Sequence, residues 1–161
     1  GSTNNGTALS LFVLDGAIDQ TLDPTHIIMN KKMARRFTQA ARSSTVGGNI
    51  NFTTNEFSKR IMEYNGLPIL TVDLDNTGTQ IITNTEACTG GTATGTSIYV
   101  VSMKEGMLHG IQNGGIDVRD LGELQTQPLY RTRVEWYNGI AIQNGRAATR
   151  LWSIADSAIV A

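Results

Sequence analysis

Residues 24–44, PTHIIMNKKMARRFTQAARSS, decide how the chain is read. Ile27, Ile28 and Met29 form a short uninterrupted apolar run, the pattern of a strand covered on both faces. Asn30 then stands where an N-cap belongs, because its side-chain oxygen can accept a free backbone N–H of a first helical turn. Met33, Phe37 and Ala40/Ala41 follow at helical spacing and predict one buried stripe. The remaining face is cationic, with Lys31, Lys32, Arg35, Arg36 and Arg42 and no acid among them. Two lysines in a first turn oppose the helix dipole, so local helix stability does not select them. They read as a solvated face or as a surface that meets acidic groups of a partner.

Working outward, the start GSTNNGT is polar, and residues 1–6 read as a polar lead-in or an expression remnant rather than a signal peptide. Thr7 or Asn5 is placed to cap a helix over residues 8–20. Its apolar residues make two stripes, Leu9/Phe12/Val13/Gly16/Ala17 and Leu11/Leu14/Ile18. A helix apolar nearly all round is buried, or buried in part by another chain, and the sequence therefore reads as a piece of something longer. On the other side, residues 45–55 read as a polar loop and Thr54 as the cap of a short helix through Phe57 to Arg60. Folding RIMEYNGLPILTVD at Asn65-Gly66 puts Met62, Tyr64, Leu67 and Ile69 on one face, so a hairpin is expected there.

Residues 80–83 read as a short strand, 85–97 as a Thr/Gly-rich surface loop and 98–103 as a strand. Residues 109–124 hold four glycines and read as an irregular edge excursion. Asn138-Gly139 is a second turn signal, but folding there would split the apolar set. Left unfolded, Val134, Trp136, Ile140 and Ile142 share a face by alternation, so residues 130–143 are expected to be one long strand. Residues 146–154 continue extended or close with a short turn. The fold class is α+β, a mixed sheet with flanking helices, without internal repeats.

Composition narrows the function classes. The 161 residues suit one domain with a core, and 40% apolar and 17% charged residues with 17 glycines describe a folded, loop-rich chain. A formal charge of −1 argues against wholesale electrostatic binding of nucleic acid or an anionic membrane. One cysteine, Cys88, excludes an internal disulfide framework, and no apolar run approaches a membrane span.

The sharpest enzymatic string is ILTVDLDNT, residues 69–77. It resembles the first motif of haloacid-dehalogenase-type phosphatases, which implies Asp73 as nucleophile, Asp75 as general acid/base and a bound Mg²⁺. That family needs crossover helices, and here a Thr/Gly loop and more strand follow; Lys104, Asp117 and Asp120 would have to be forced into the remaining roles. GGTATGTS, residues 90–97, lacks the lysine of a phosphate loop, with Thr96 in its place. The calcium-loop spacing that starts at Asp73 ends on Asn84, not the bidentate glutamate. Nothing in the sequence brings Cys88 to His26 or His109, and no catalytic, cofactor or metal constellation remains.

The ordered set of strings resembles the major capsid proteins of tailed bacteriophages with the Hong Kong 97-type shell fold. The matching pieces are ALSLFVLDGAID, PTHIIMN leading into KKMARRFTQAARS, YNGLPILTVD, TSIYVVSMKEGMLHGIQ and VEWYNGIAIQNGRAATRL. The resemblance implies that residues 7–161 are the axial domain with part of the peripheral domain, and that the N-terminal arm, extended loop and spine helix have no counterpart here. It implies a structural, non-enzymatic role: self-assembly into capsomers and an icosahedral shell around DNA, with scaffold and portal proteins as further partners. The DNA would be packaged non-specifically, without a membrane, and the protein would reside in a virion assembled in the bacterial cytoplasm. Subunit contacts expected on this reading pair Lys31, Lys32, Arg35 and Arg36 with Asp117, Asp120 and Glu123 of a neighbour. The glycine-rich stretch 109–122 is expected at the capsomer centre.

Overall fold

The computed structural model describes residues 2–43, 48, 50–54, 56–89, 94–123 and 126–160. In chain order the first elements are β1 (Ser2–Thr7), α1 (Leu11–Gln20), β2 (His26–Asn30), α2 (Lys31–Ala40), β3 (Ile50–Thr54), β4 (Arg60–Tyr64) and β5 (Leu67–Val72). There follow β6 (Gly95–Val101), β7 (Leu108–Gln112), β8 (Asp117–Glu123), β9 (Tyr130–Glu135), β10 (Asn138–Ile142) and β11 (Ala148–Ala155). Seven strands form one mixed sheet in the order β1-β11-β6-β2-β5-β4-β3, with β1/β11 and β2/β5 parallel. The other four strands make two separate two-stranded ribbons, β7/β10 and β8/β9.

The strand–helix unit forms as its sequence dictates. Asn30 Oδ1 accepts the Met33 N–H at 2.8 Å, the capping bond of α2. Its Nδ2 donates to Thr96 Oγ1 and Asn84 Oδ1, each at 2.8 Å, joining the helix start to β6 and to the chain after β5. Met33, Phe37 and Ala40 are buried along the expected stripe. Helix α2 packs on β2 and β5, and α1 packs on β1 and β11. Both helices feed one core with Ile27, Met29, Ile69, Ile98, Val100 and Leu151. Ile27 and Met29 point into it, whereas Ile28 between them is half-buried and its β5 partner Leu70 is exposed. Strand β2 is thus fully covered on one face, not on both.

The Asn65-Gly66 hairpin is present: Tyr64 pairs with Leu67 across two residues of positive φ (49° and 77°), the primed turn such loops favour. Tyr64 is fully buried and meets Phe37 edge-on, ring centroids 6.1 Å apart. Its hydroxyl donates to Asp15 Oδ1 at 2.8 Å, and Asn65 Nδ2 donates to the same oxygen at 3.0 Å, so the hairpin is tied to α1.

Several expectations are corrected. Helix α1 begins at Leu11 with Ser10 as N-cap, because residues 2–7 are drawn into the sheet beside β11; Thr7 Oγ1 donates to Asn4 O and Asn5 lies within β1, so neither caps the helix. Leu11, Leu14 and Ala17 are buried, but Phe12 is 82% exposed. Thr54 ends β3 and Arg60 begins β4, and among the described residues between them no helix is formed. Residues 80–83 contribute only an isolated bridge, Leu74 to Gln80. Gly95, Thr96 and Ser97 are buried strand, not surface loop, while residues 90–93 of that loop and 44–47, 49 and 55 of the earlier one lie outside the described residues. The stretch 109–124 is strand at 108–112 and 117–123 (residue 124 lies outside the description), and 130–143 is two strands with different partners.

Replacing Asn30 with Ala removes the cap and leaves buried partners unsatisfied, so urea unfolding is expected to show a loss of about 2–4 kcal/mol. The Tyr64 hydroxyl is held well above its ordinary ionisation range, first by burial and then by its bond to Asp15 and that carboxylate's charge. Its neutral form is favoured only in the folded state, so the associated stability is complete below the unfolded value of 10.0 and is lost as pH rises above it. The stability of Tyr64→Phe, followed by denaturant titration from neutral to alkaline pH, is expected to fall less steeply above pH 10.

Candidate functional site

The two ribbons are successive parts of one excursion that grows out of the sheet. Strands β6 and β11 pair as far as Val101 with Ala148, then Leu108 with Ile142 through Gln112 with Asn138, then Asp117 with Glu135 through Glu123 with Tyr130. Bonds from Gln143 N–H to Met107 O (2.9 Å) and from Asn113 N–H to Tyr137 O (3.0 Å) carry the pairing across the two interruptions. Sixteen residues on one side, 108–123, have a reach of about 50 Å when extended.

This excursion is apolar and bare. Tyr130 is 77% exposed, Ile140 76%, Val134 64% and Trp136 53%, and Ile111, Val118, Tyr137 and Ile142 are likewise open. The expected alternating face of Val134, Trp136, Ile140 and Ile142 exists in part, but nothing among the described residues covers it. A lone two-stranded ribbon is marginal in water, and contiguous exposed apolar surface marks an interaction site. The molecule's accessible surface is 10195 Å². A compact monomer of 17.4 kDa would expose about 7,900 Å². The excess is of the size that stable protein interfaces bury.

The charged residues singled out from sequence are distributed as follows. Lys31 forms an ion pair with Asp73, and Arg36 Nε bonds Asp156 Oδ1 at 2.8 Å, so both are engaged within the chain. Lys32 and Arg35 are exposed. Asp117 accepts from Arg119 Nε at 2.7 Å, Asp120 Oδ1 accepts the Gly122 N–H, and both lie with Glu123 on exposed β8. The structure brings none of these acids to the basic helix of the same chain.

The enzymatic string is consumed by local structure. Asp75 Oδ1 accepts from Thr77 Oγ1 (2.7 Å), Thr77 N–H and Thr79 N–H (2.8 Å each), and the Thr77 hydroxyl above all holds its carboxyl below the usual range. That carboxylate closes its own turn, and Asp73 faces Lys31. Lys104 pairs with Asp23, which precedes β2, whereas Asp73 follows the parallel strand β5 and so lies at the opposite end of the sheet; Asp117 and Asp120 are on the ribbon. Among the described residues no cluster of three metal-ligating side chains exists. Cys88 is buried against Gly95, His26 bonds Thr25 and His109 lies on β7; neither histidine is a hydrogen-bond partner of Cys88.

The sequence reading overlooked β8 and β9 as a matched pair. A signal was present: Asp117-Val118-Arg119 and Arg133-Val134-Glu135 are mirrored acid–valine–base triplets, and the ribbon aligns them residue for residue. Because Gln143 already bonds to Met107, replacing residues 108–142 by a short Asn-Gly turn joins ends that lie together. The shortened chain is expected to keep a cooperative unfolding transition by circular dichroism; a collapse to a non-cooperative state would show that the sheet depends on the ribbon.

No protein-family model and no curated protein sequence matches the chain. Among solved structures, it is similar to the encapsulin of the holo-SrpI complex from Synechococcus elongatus PCC 7942, with a TM-score of 0.66 at 15% identity. The match covers 99% of this chain and 55% of that one, so this chain spans about half the length of the shell protein it matches. The architecture is accordingly the Hong Kong 97-like α+β fold.

Proposed function

We propose that the protein is a structural subunit that associates with copies of itself into a closed, capsid-like shell, and that it catalyses no reaction. The observation that carries this reading is the bare apolar ribbon standing off a complete sheet, in a chain that has the fold of a shell protein. Identical subunits that offer such a surface close into particles when their contacts obey point symmetry. Exposed Phe12 on α1 is a second apolar contact in keeping with that role. Of the basic helix face, Lys32 and Arg35 are exposed cations that a neighbour can meet, with Asp117, Asp120 and Glu123 as acidic counterparts. The finer assignment is the head of a tailed bacteriophage, enclosing DNA in a virion with scaffold and portal proteins as partners. An encapsulin-type shell is the second reading, favoured by the structural match. An aspartyl-phosphate phosphatase has no support in the geometry of Asp73 and Asp75.

Negative-stain electron microscopy and sedimentation velocity of the purified protein test the proposal. Rings or closed particles are expected, and a single 17.4 kDa species at every concentration would overturn it. Absorbance of nuclease-treated particles then separates the two shell types: protected nucleic acid is the expected result for a phage head, and its absence favours the encapsulin-type shell.

A further inference from the structure

The β8/β9 ribbon is built with like charges directly opposite each other. Asp117 pairs with Glu135 and Arg119 with Arg133, while Val118 faces Val134 on the other side of the ribbon. Directly opposed like charges destabilise a strand pair. Among the described residues they are offset by pairs along each strand, the exposed Asp117–Arg119 pair and the pair of half-buried Glu135 with exposed Arg133, and surface pairs of this kind contribute little. A ribbon selected for its own stability would place acid across from base.

The two outer edges also differ. Strand β8 is bulged: between the Asp120–Thr132 and Glu123–Tyr130 pairs, Leu121 and Gly122 stand against Arg131 alone, and Gly122 has φ +75°. A bulge twists an edge and blunts it against further pairing. Strand β9 has the single residue at that point, and among the described residues its outer edge carries no strand.

We propose that β9 pairs antiparallel with β9 of a second copy, about a two-fold axis at Val134. The inference rests on the self-assembly reading and names the contact. In that register Val134 meets Val134, Arg133 meets Glu135 of the other copy, and Glu135 meets its Arg133. Each charged row of the four-stranded sheet then runs acid, acid, base, base, so the like pairs inside each ribbon are compensated at the new seam. The opposite face carries an unbroken row of four valines, two from each ribbon. Past the end of β9 at Glu135, the same register continued sets Thr132 across from Trp136 of the other copy and Arg131 across from its Tyr137, a cation beside an aromatic ring. An isologous contact of this kind closes on itself and joins subunits in pairs within a larger assembly.

Charge reversal tests the register and leaves the ribbon intact. Arg133→Glu puts Glu across from Arg119 within its own ribbon, and Glu135→Arg puts Arg across from Asp117, so each single change favours the monomer's pairing. Across the proposed seam each creates two like-charge pairs. Sedimentation velocity is expected to show each single variant associating about tenfold or more weakly than the wild type. An equimolar mixture of the two single variants is expected to associate as a mixed pair, since every Glu then meets an Arg. The R133E/E135R double variant is expected to recover self-association. Single variants that associate like the wild type, or a mixture no better than either component, would overturn the β9 seam while leaving self-assembly in place. A wild-type chain that stays monomeric at every concentration would overturn both. Association lost in the ribbon-deleted chain but untouched by charge reversal would place the contact on the ribbon's apolar face instead.

Discussion

The fold turns on the side chain of Asn30. It stands at the junction where β2 becomes α2, and its amide makes capping and cross-linking bonds in opposite directions. The oxygen satisfies the Met33 N–H, and the nitrogen reaches Thr96 in β6 and Asn84 in the segment that leaves β5. A buried amide has donors and an acceptor that must all be matched. Matching them here sets the helix start, the position of β6 and the path of residues 82–84 together. The Phe37–Tyr64 contact continues this arrangement: α2 fixes the hairpin, and the hairpin, through Asp15, fixes α1.

Two regimes of stability follow within one chain. In the sheet, apolar side chains from both helices and the central strands are withdrawn from water, and burial at roughly 25 cal/mol per Å² supports a self-sufficient unit. In the ribbons, most large apolar side chains remain in water, and cross-strand pairs contribute only about 0.2–1 kcal/mol each. Among the described residues nothing covers Val134, Trp136 or Ile140. That imbalance is the physical basis of the self-assembly proposed above.

The carboxylates of residues 73–77 are engaged in local structure. In the phosphatase reading both carboxylates would be turned toward a substrate and a metal ion. Asp73 and Asp75 instead serve the connection after β5, one facing Lys31 and the other holding its own turn. The Asp-x-Asp-x-Thr spacing is equally good for closing a turn, because the aspartate oxygen reaches backbone N–H groups two and four residues on. A string of residue types does not by itself distinguish these uses.

What the sequence alone determined was local. Asn30 as a cap, the Met33/Phe37/Ala40 stripe and the Asn65-Gly66 turn follow from contacts between residues a few positions apart, where backbone geometry leaves few options. The resemblance of ordered strings also reached the fold that the structural match shows. The tertiary structure decided everything that depends on distant partners. Residues 2–7 look like a loose polar start, yet they are a strand because β11 offers them a free edge. Residues 130–142 alternate as one strand would, yet they divide because β8 and β7 meet them in separate ladders. Phe12 and Ile140 carry the same apolar signal as Leu14 and Ile98, but only the latter are covered. Periodicity states which side chains share a face; whether that face is buried depends on what folds, or assembles, against it.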